Sequence, residues 1–170
     1  MQKATSSQQP HLHGTIQHLT SSPLTMNTDS ASHFRYWSGQ GVLQFLEQLL
    51  EDEGMGIAAY AAIGRTAARH VADLAFESEL AQGAICILLR KEIAARGEID
   101  VLRRKTTPAI SNADCGLRGM IGFASRNQAG LADMIEEAVL NIADPELNSK
   151  LIYLLLLHRK QVEQLQTFVS

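Results

Sequence analysis

From residue 38 onward, apolar residues recur every three or four positions in four long segments, which is the spacing of amphipathic helices. The first helix is expected from about Gln40 to the high sixties, with Ser38 as its N-cap. The second is expected from roughly Asp73 to Arg96, and Gly97 is a natural residue to end it. Three glycines interrupt the first helix and indicate a close neighbouring helix: Gly54, Gly56 and Gly64.

The second half of the chain predicts two more helices. One begins near Asp114, and the other follows Asp144 and Pro145, which suit a capping position and the first helical position. Between the two halves, residues 98–112 lose the helical pattern and predict a loop longer than the ~2–8 residues that join adjacent antiparallel helices. The order of short, long and short connections predicts an all-α fold, a ferritin-like four-helix bundle over 38–170 with one long crossover between helices 2 and 3.

Residues 1–37 differ from the rest of the chain. More than half of them are Ser, Thr, Gln, Asn or His, and they have no sustained period. We expect a disordered polar tail, because such a segment buries too little apolar surface to offset its ordering entropy. A metal-binding tail is an alternative that the irregular spacing of its four histidines disfavours: His11, His13, His18 and His33.

Each helical segment carries a polar residue near its middle, inside the stripe that should be apolar. These residues are Glu53, Gln82, Gln128 and His158, and Glu79 lies about one turn before Gln82. Polar groups at core positions are costly unless they are paired or bind something. Their matching heights predict a polar layer across the bundle, and this layer is the place where the chain could carry chemistry.

The layer matches a dinuclear metal site only in part. Such a site takes one Glu from each of two helices and a Glu-x-x-His pair from each of the other two. Here Glu53 fits, the second helix offers Glu79-x-x-Gln82, the third offers the neutral Gln128, and the fourth keeps only His158. Two alternatives remain: the four groups hydrogen-bond one another as a structural layer, or Glu53, Glu79 and His158 hold one metal ion, iron or manganese. The sequence does not identify a cofactor.

Net charge and cysteine content limit the classes of partner and the cellular compartment that we expect. The formal net charge is −3, so no basic field attracts nucleic acid or anionic lipid. No apolar run approaches the ~18 residues needed to span a bilayer. The only two cysteines, Cys86 and Cys115, form neither a zinc spacing nor a disulfide framework. We expect a cytoplasmic protein with no nucleic-acid or membrane partner.

Three segments resemble a known family. Glu53-Gly54-Met55-Gly56 followed by Tyr60 resembles the first-helix signature of rubrerythrin-like proteins. The chain is more similar to an uncharacterised bacterial ferritin-like family of unknown function. The segments behind this likeness, which covers about 40–170, are Leu49-Leu50-Glu51-Asp52-Glu53, Arg126-Asn127-Gln128 and the stretch ending in His158.

The resemblance implies a helical bundle in the bacterial cytoplasm that associates with itself and has no established activity. The family tends to carry an acidic residue near Gln82, where this chain has an amide, unless Glu79 is the equivalent residue. Together with the incomplete ligand set, this favours a non-catalytic binding or self-associating protein, most simply a homodimer. The alternative is a mononuclear metal-binding protein or oxidoreductase using Glu53, Glu79 and His158.

Overall fold

Four α-helices form the protein in the computed structural model, which describes residues 36–97 and 116–168. No strand occurs among these residues. The helices are α1 (Gly39–Thr66), α2 (Arg69–Ala95), α3 (Gly116–Asn141) and α4 (Pro145–Gln166). The prediction of an all-α four-helix bundle is confirmed.

The helices form two antiparallel hairpins, α1–α2 and α3–α4. Helix α1 packs on α2 and on α3, and α3 packs on α4. The Trp37 backbone N–H, just before α1, donates to Asn141 O at the end of α3 over 2.8 Å, and Lys150 in α4 meets Glu92 near the end of α2. The end of α2 and the start of α3 therefore lie at opposite ends of the bundle, as a long crossover requires, and residues 98–115 lie outside the described part.

Three of the helix ends follow from local capping chemistry. The Ser38 side chain accepts from Gly41 N at 3.1 Å, and Asp144 accepts from the backbone N–H groups of Glu146 and Leu147 at 3.0 Å each. Gly97 takes a positive φ of 93° just after α2. Helix α2 begins four residues before the predicted start, because Ala68 occupies its N-cap without any side-chain hydrogen bond to mark it.

The apolar core consists of two clusters, one on each side of the polar layer. The cluster near the α3–α4 turn includes Leu46, Leu49, Leu89, Ile135, Leu151 and Leu154. The cluster near the α1–α2 turn includes Tyr60, Ile63, Val71, Met120, Ile121 and Leu165. Each fully buried Leu or Ile stabilises the fold by about 1.5–3 kcal/mol, so two such clusters can tolerate a polar layer between them.

The predicted tail, residues 1–37, lies outside the described part except for its last two residues. The Trp37 ring packs against Phe45 with 5.5 Å between the ring centroids. Trp37 therefore belongs to the first apolar cluster of the bundle. Within the described ranges, none of the helices has both the length and the apolar character to cross a membrane.

An ion-pair network joins the end of α2 to the start of α4. Glu92 accepts from Lys150 Nζ at 2.7 Å and from Arg96 Nη1 at 2.8 Å, and Arg96 Nη2 reaches Asp144 at 2.9 Å. Burial alone would raise the pKa of Glu92, but the hydrogen bonds from Lys150 and Arg96 outweigh it and hold that pKa below its ordinary value. The Leu147 and Glu146 backbone N–H groups and Arg96 outweigh slight burial and lower the pKa of Asp144.

We expect Glu92→Gln to lower the free energy of unfolding by about 1–2 kcal/mol at pH 7, because it removes charge-assisted bonds to two cations. A carboxyl with a lowered folded-state pKa stabilises the protein above its unfolded value of about 4.3, and this contribution is lost as the pH falls through the folded value. The difference between the variant and the unmodified protein should therefore shrink below about pH 4.

Urea unfolding between pH 3 and pH 7 measures this difference. Glu163→Gln is the matched control, since Glu163 is exposed at the other end of α4. Equal effects of the two substitutions at pH 7 would contradict a stabilising role for the network.

Candidate functional site

The structure brings four predicted polar residues together at the middle of the bundle. Glu53, Gln82, Gln128 and His158 come from α1, α2, α3 and α4 respectively, and each is 0% exposed. They lie between the two apolar clusters, on the faces where each helix meets the other helices. The polar layer predicted from the sequence therefore exists as a sealed group of side chains.

A chain of hydrogen bonds crosses the layer from α1 through α3 to α4. Asn127 Nδ2 donates to the backbone carbonyl of Asp52 at 3.2 Å, which turns Asn127 Oδ1 toward Gln128. Gln128 Nε2 donates to that oxygen at 3.3 Å. Gln128 Oε1 is then the atom that meets His158 Nδ1, at 2.7 Å. The backbone carbonyl thus fixes the orientation of both amides.

This series of hydrogen bonds also fixes the tautomer of the His158 imidazole. Because Gln128 Oε1 can only accept, Nδ1 of His158 carries the proton and donates it. Nε2 points toward the carboxylate of Glu53, 2.9 Å from Oε1 and off the line of a ring N–H. A bare nitrogen lone pair facing a bare carboxylate oxygen at this distance is repulsive, so the contact is stable when a proton or a cation lies between the two groups.

Several buried atoms of the layer have no hydrogen-bond partner in the described structure. They are both carboxylate oxygens of Glu53, both polar atoms of the Gln82 amide and Nε2 of His158. Buried polar atoms without partners are rare, and each one costs free energy. Each of these atoms therefore needs a buried water molecule, a shared proton or a cation as its partner.

A second group of polar side chains lies one to two helical turns from the layer, on the side of the α1–α2 connection. Tyr60, Ser78 and Gln161 line a cavity of about 10 Å³, which is the space of about one water molecule. Burial raises the pKa of the Tyr60 hydroxyl above its ordinary range, the charge of Glu53 adds to the shift, and the Ser78 hydroxyl opposes it. Neither Ser78 nor Gln161 is predicted from the sequence, and only Gln161, one turn after His158, has a spacing that could have indicated it.

Glu79, the third candidate metal ligand, is half-buried, and the core position one residue before it belongs to Ser78. Glu53 and His158 are the two predicted ligands that the structure brings together. Within residues 36–97 and 116–168, no group of three or more His, Cys, Asp or Glu side chains is placed to hold a metal ion. Any cation at the layer would thus depend on Glu53 and His158, with Gln82 as the remaining oxygen donor.

Close contact between α1, α2 and α3 holds the layer together at Gly56. A Cβ atom at this position would lie 2.6 Å from both polar atoms of Gln82 and 2.8 Å from Asn127 Oδ1. The glycine therefore makes room for the two amides. This confirms the expected close approach for Gly56, whereas Gly64 has only ordinary contacts.

Cys86 lies about one turn from Gln82 and is a free, buried thiol. Burial and, to a smaller extent, the charge of Glu53 raise its pKa to about 11, against an opposing effect of Arg90. At neutral pH the group stays a thiol, which is neither a nucleophile nor a good metal ligand. Cys86 therefore adds no chemistry to the layer, and Cys115 lies outside the described residues.

The geometry supports two kinds of chemistry, the holding of a proton between Glu53 and His158 or the holding of a cation there. Comparisons with protein-family models, with curated proteins and with solved structures found no match to this chain.

Proposed function

We propose that this chain is a ferritin-like helical domain of the bacterial cytoplasm that works by associating with a second copy of itself, without a catalytic centre of its own. The observation that carries the proposal is the outer surface of the bundle. Large apolar side chains stand exposed on the outside of α2 and α4: Phe76, Leu80 and Ile87 on α2, and Ile152, Tyr153 and Leu156 on α4. Apolar side chains grouped along a helix, unlike scattered ones, mark surfaces that another molecule covers.

The composition of the layer supports the non-catalytic part of the proposal. One carboxylate and one imidazole meet there, and both are fully buried. A dinuclear centre needs four carboxylates to offset its charge, and a single carboxylate in a low-dielectric core cannot do so. The free Cys86 thiol agrees with a reducing compartment.

The mass of the full chain in solution tests the association. We expect light scattering across a range of concentrations to give twice the 18.6 kDa mass of one chain. A mass of one chain at every concentration would overturn the proposal. Oxygen consumption on adding ferrous iron should not exceed the rate of free iron, and turnover above that rate would refute the non-catalytic part.

A second candidate function, a single divalent cation site at the layer, is favoured by the unpartnered atoms of Glu53, Gln82 and His158. His158 Nδ1 is held by Gln128, as the outer nitrogen of a metal-bound imidazole usually is, and Nε2 remains for the metal. Oxygen and imidazole donors suit iron or manganese, and a cation held there would supply a Lewis acid.

Elemental analysis after growth with iron and manganese separates the two candidates. A cation site predicts about one metal per chain, lost in Glu53→Gln, which keeps the shape of the side chain while removing its charge. Glu79→Gln is the matched control, because Glu79 is half-buried outside the layer. Retained metal in Glu53→Gln would exclude the site at Glu53 and His158.

A further inference from the structure

The outer face of α2 carries an exposed apolar row that the fold of one chain does not use. Phe76, Leu80, Gly83 and Ile87 follow one another at steps of four, three and four residues, so they share one helix face. The three large side chains are 59%, 59% and 55% exposed. Gln82 and the other buried residues of α2 lie on the opposite face, toward the layer.

Gly83 interrupts the middle of this row, although no contact within one chain requires a glycine there. A Cβ atom at this position would meet nothing within 4 Å. Glycine inside a helix lowers helix stability relative to alanine. Gly56, by contrast, is surrounded by Gln82 and Asn127. A gap in an exposed apolar row is explained when a side chain from outside packs into it.

The row is complementary to itself when two copies of α2 run antiparallel. About a point between Ala81 and Gln82, Phe76 is the mirror position of Ile87, and Leu80 is the mirror position of Gly83. A large side chain of each copy would therefore face the small residue of the other. This arrangement is what a two-fold interface requires, since each contact occurs twice.

Charged residues at the edge of the row fit nearly the same symmetry, with a centre half a residue away, at Gln82. Asp73 and Lys91 lie nine residues before and nine residues after Gln82. They are 18 residues apart, about five turns, so they occupy the same edge of the helix. Both are exposed. Asp73 has only a 3.9 Å contact with the almost fully exposed Arg69, and no described ion pair involves Lys91. In an antiparallel pair, Asp73 of each copy would meet the partner's Lys91.

We infer that the outer face of α2 is a two-fold interface with a second copy of this chain. In this interface the two α2 helices run antiparallel, Leu80 packs against Gly83 of the partner subunit, and Asp73 pairs with Lys91 of the partner subunit. The inference rests on the proposed self-association and assigns it a surface.

Charge reversal tests the register directly. Asp73→Lys and Lys91→Asp each place like charges together at two symmetric positions, so each should raise the dimer dissociation constant about tenfold at low salt. The double variant Asp73→Lys/Lys91→Asp restores opposite charges and should return the constant to within about threefold of the original. Sedimentation equilibrium of the full-length chain measures all four proteins, and unchanged helical circular dichroism shows that they are folded.

Ile152→Ser tests the exposed apolar face of α4, and Leu140→Ser, at an exposed site on α3, is the matched control that should leave the dimer unchanged. A dimer that responds to Ile152→Ser and not to the α2 variants would overturn the α2 interface while leaving self-association intact. A double variant as weak as the single variants would overturn the antiparallel register. A monomeric unmodified chain would overturn both this inference and the proposed function.

Discussion

Replacing His158 with leucine should lower the free energy of unfolding by about 3–5 kcal/mol, the largest loss expected from any one substitution in the layer. The variant leaves the Glu53 carboxylate fully buried without the group that stands 2.9 Å from it. It also removes the donor to Gln128 Oε1. An unpaired carboxylate in a low-dielectric core is far more costly than the apolar contact that leucine would gain.

Glu53 and His158 should therefore be strongly coupled. Glu53→Leu combined with His158→Leu removes both polar groups, and we expect the double variant to recover most of the stability that His158→Leu loses. Urea unfolding of the two single variants and the double variant gives a coupling energy, which we expect to be about 2–3 kcal/mol. A coupling energy near zero would mean that the two groups do not share a proton or a cation.

An exposed ion pair on the same helix provides the comparison. Arg159 follows His158 in the chain and pairs with Glu136 over 2.7 Å, with about half of each side chain exposed. Arg159→Leu should cost less than about 1 kcal/mol, because water screens the pair. Equal losses in the free energy of unfolding for His158→Leu and Arg159→Leu would mean that the layer contributes no more to stability than an exposed ion pair.

The positions of the helices and of the layer could be predicted from the sequence because both depend on local spacing. Ser38 and Asp144 cap helices whatever surrounds them, and a polar residue inside an apolar stripe must face the core. This spacing predicts all four residues of the layer, and the structure buries them together in the core: Glu53, Gln82, Gln128 and His158.

Spacing alone could not separate Ser78 from Glu79. Neighbouring positions on a helix differ by about 100°, so both residues lie near the edge of the α2 stripe, and the position of α4 decides which one is covered. The structure buries Ser78 and leaves Glu79 half-buried. The start of α2 was missed for a different reason, since Ala68 offers no side-chain signal for a helix end.

The hydrogen-bond chain through Asn127 depends on a distance between helices, which no single-helix pattern contains. Asn127 is half-buried and lies off the main apolar stripe of α3, so nothing in its spacing marks it. Its role follows from the close packing of α1 and α3, which brings its amide within 3.2 Å of the Asp52 carbonyl. The glycine at position 56 is the sequence feature that permits this approach.

Gly56→Ala should lower the free energy of unfolding by about 1–3 kcal/mol, even though alanine favours a helix by roughly 1 kcal/mol over glycine. The added methyl group would lie 2.6 Å from the Gln82 amide and 2.8 Å from Asn127 Oδ1, so these groups must move. Gln82 is fully buried, and Asn127 holds the hydrogen bonds to Asp52 and Gln128. Asn127 therefore cannot move without breaking these two hydrogen bonds.

Gly130→Ala is the control, because Gly130 lies inside α3, is exposed, and has nothing within 4 Å of an added Cβ. It should raise the free energy of unfolding by about 0.5–1 kcal/mol through helix propensity alone. Thermal and urea unfolding of the two variants should therefore shift in opposite directions. If Gly56→Ala were stabilising as well, the close approach at Gly56 would not constrain the layer, and the orientation of His158 through Asn127 and Gln128 would lose its structural basis.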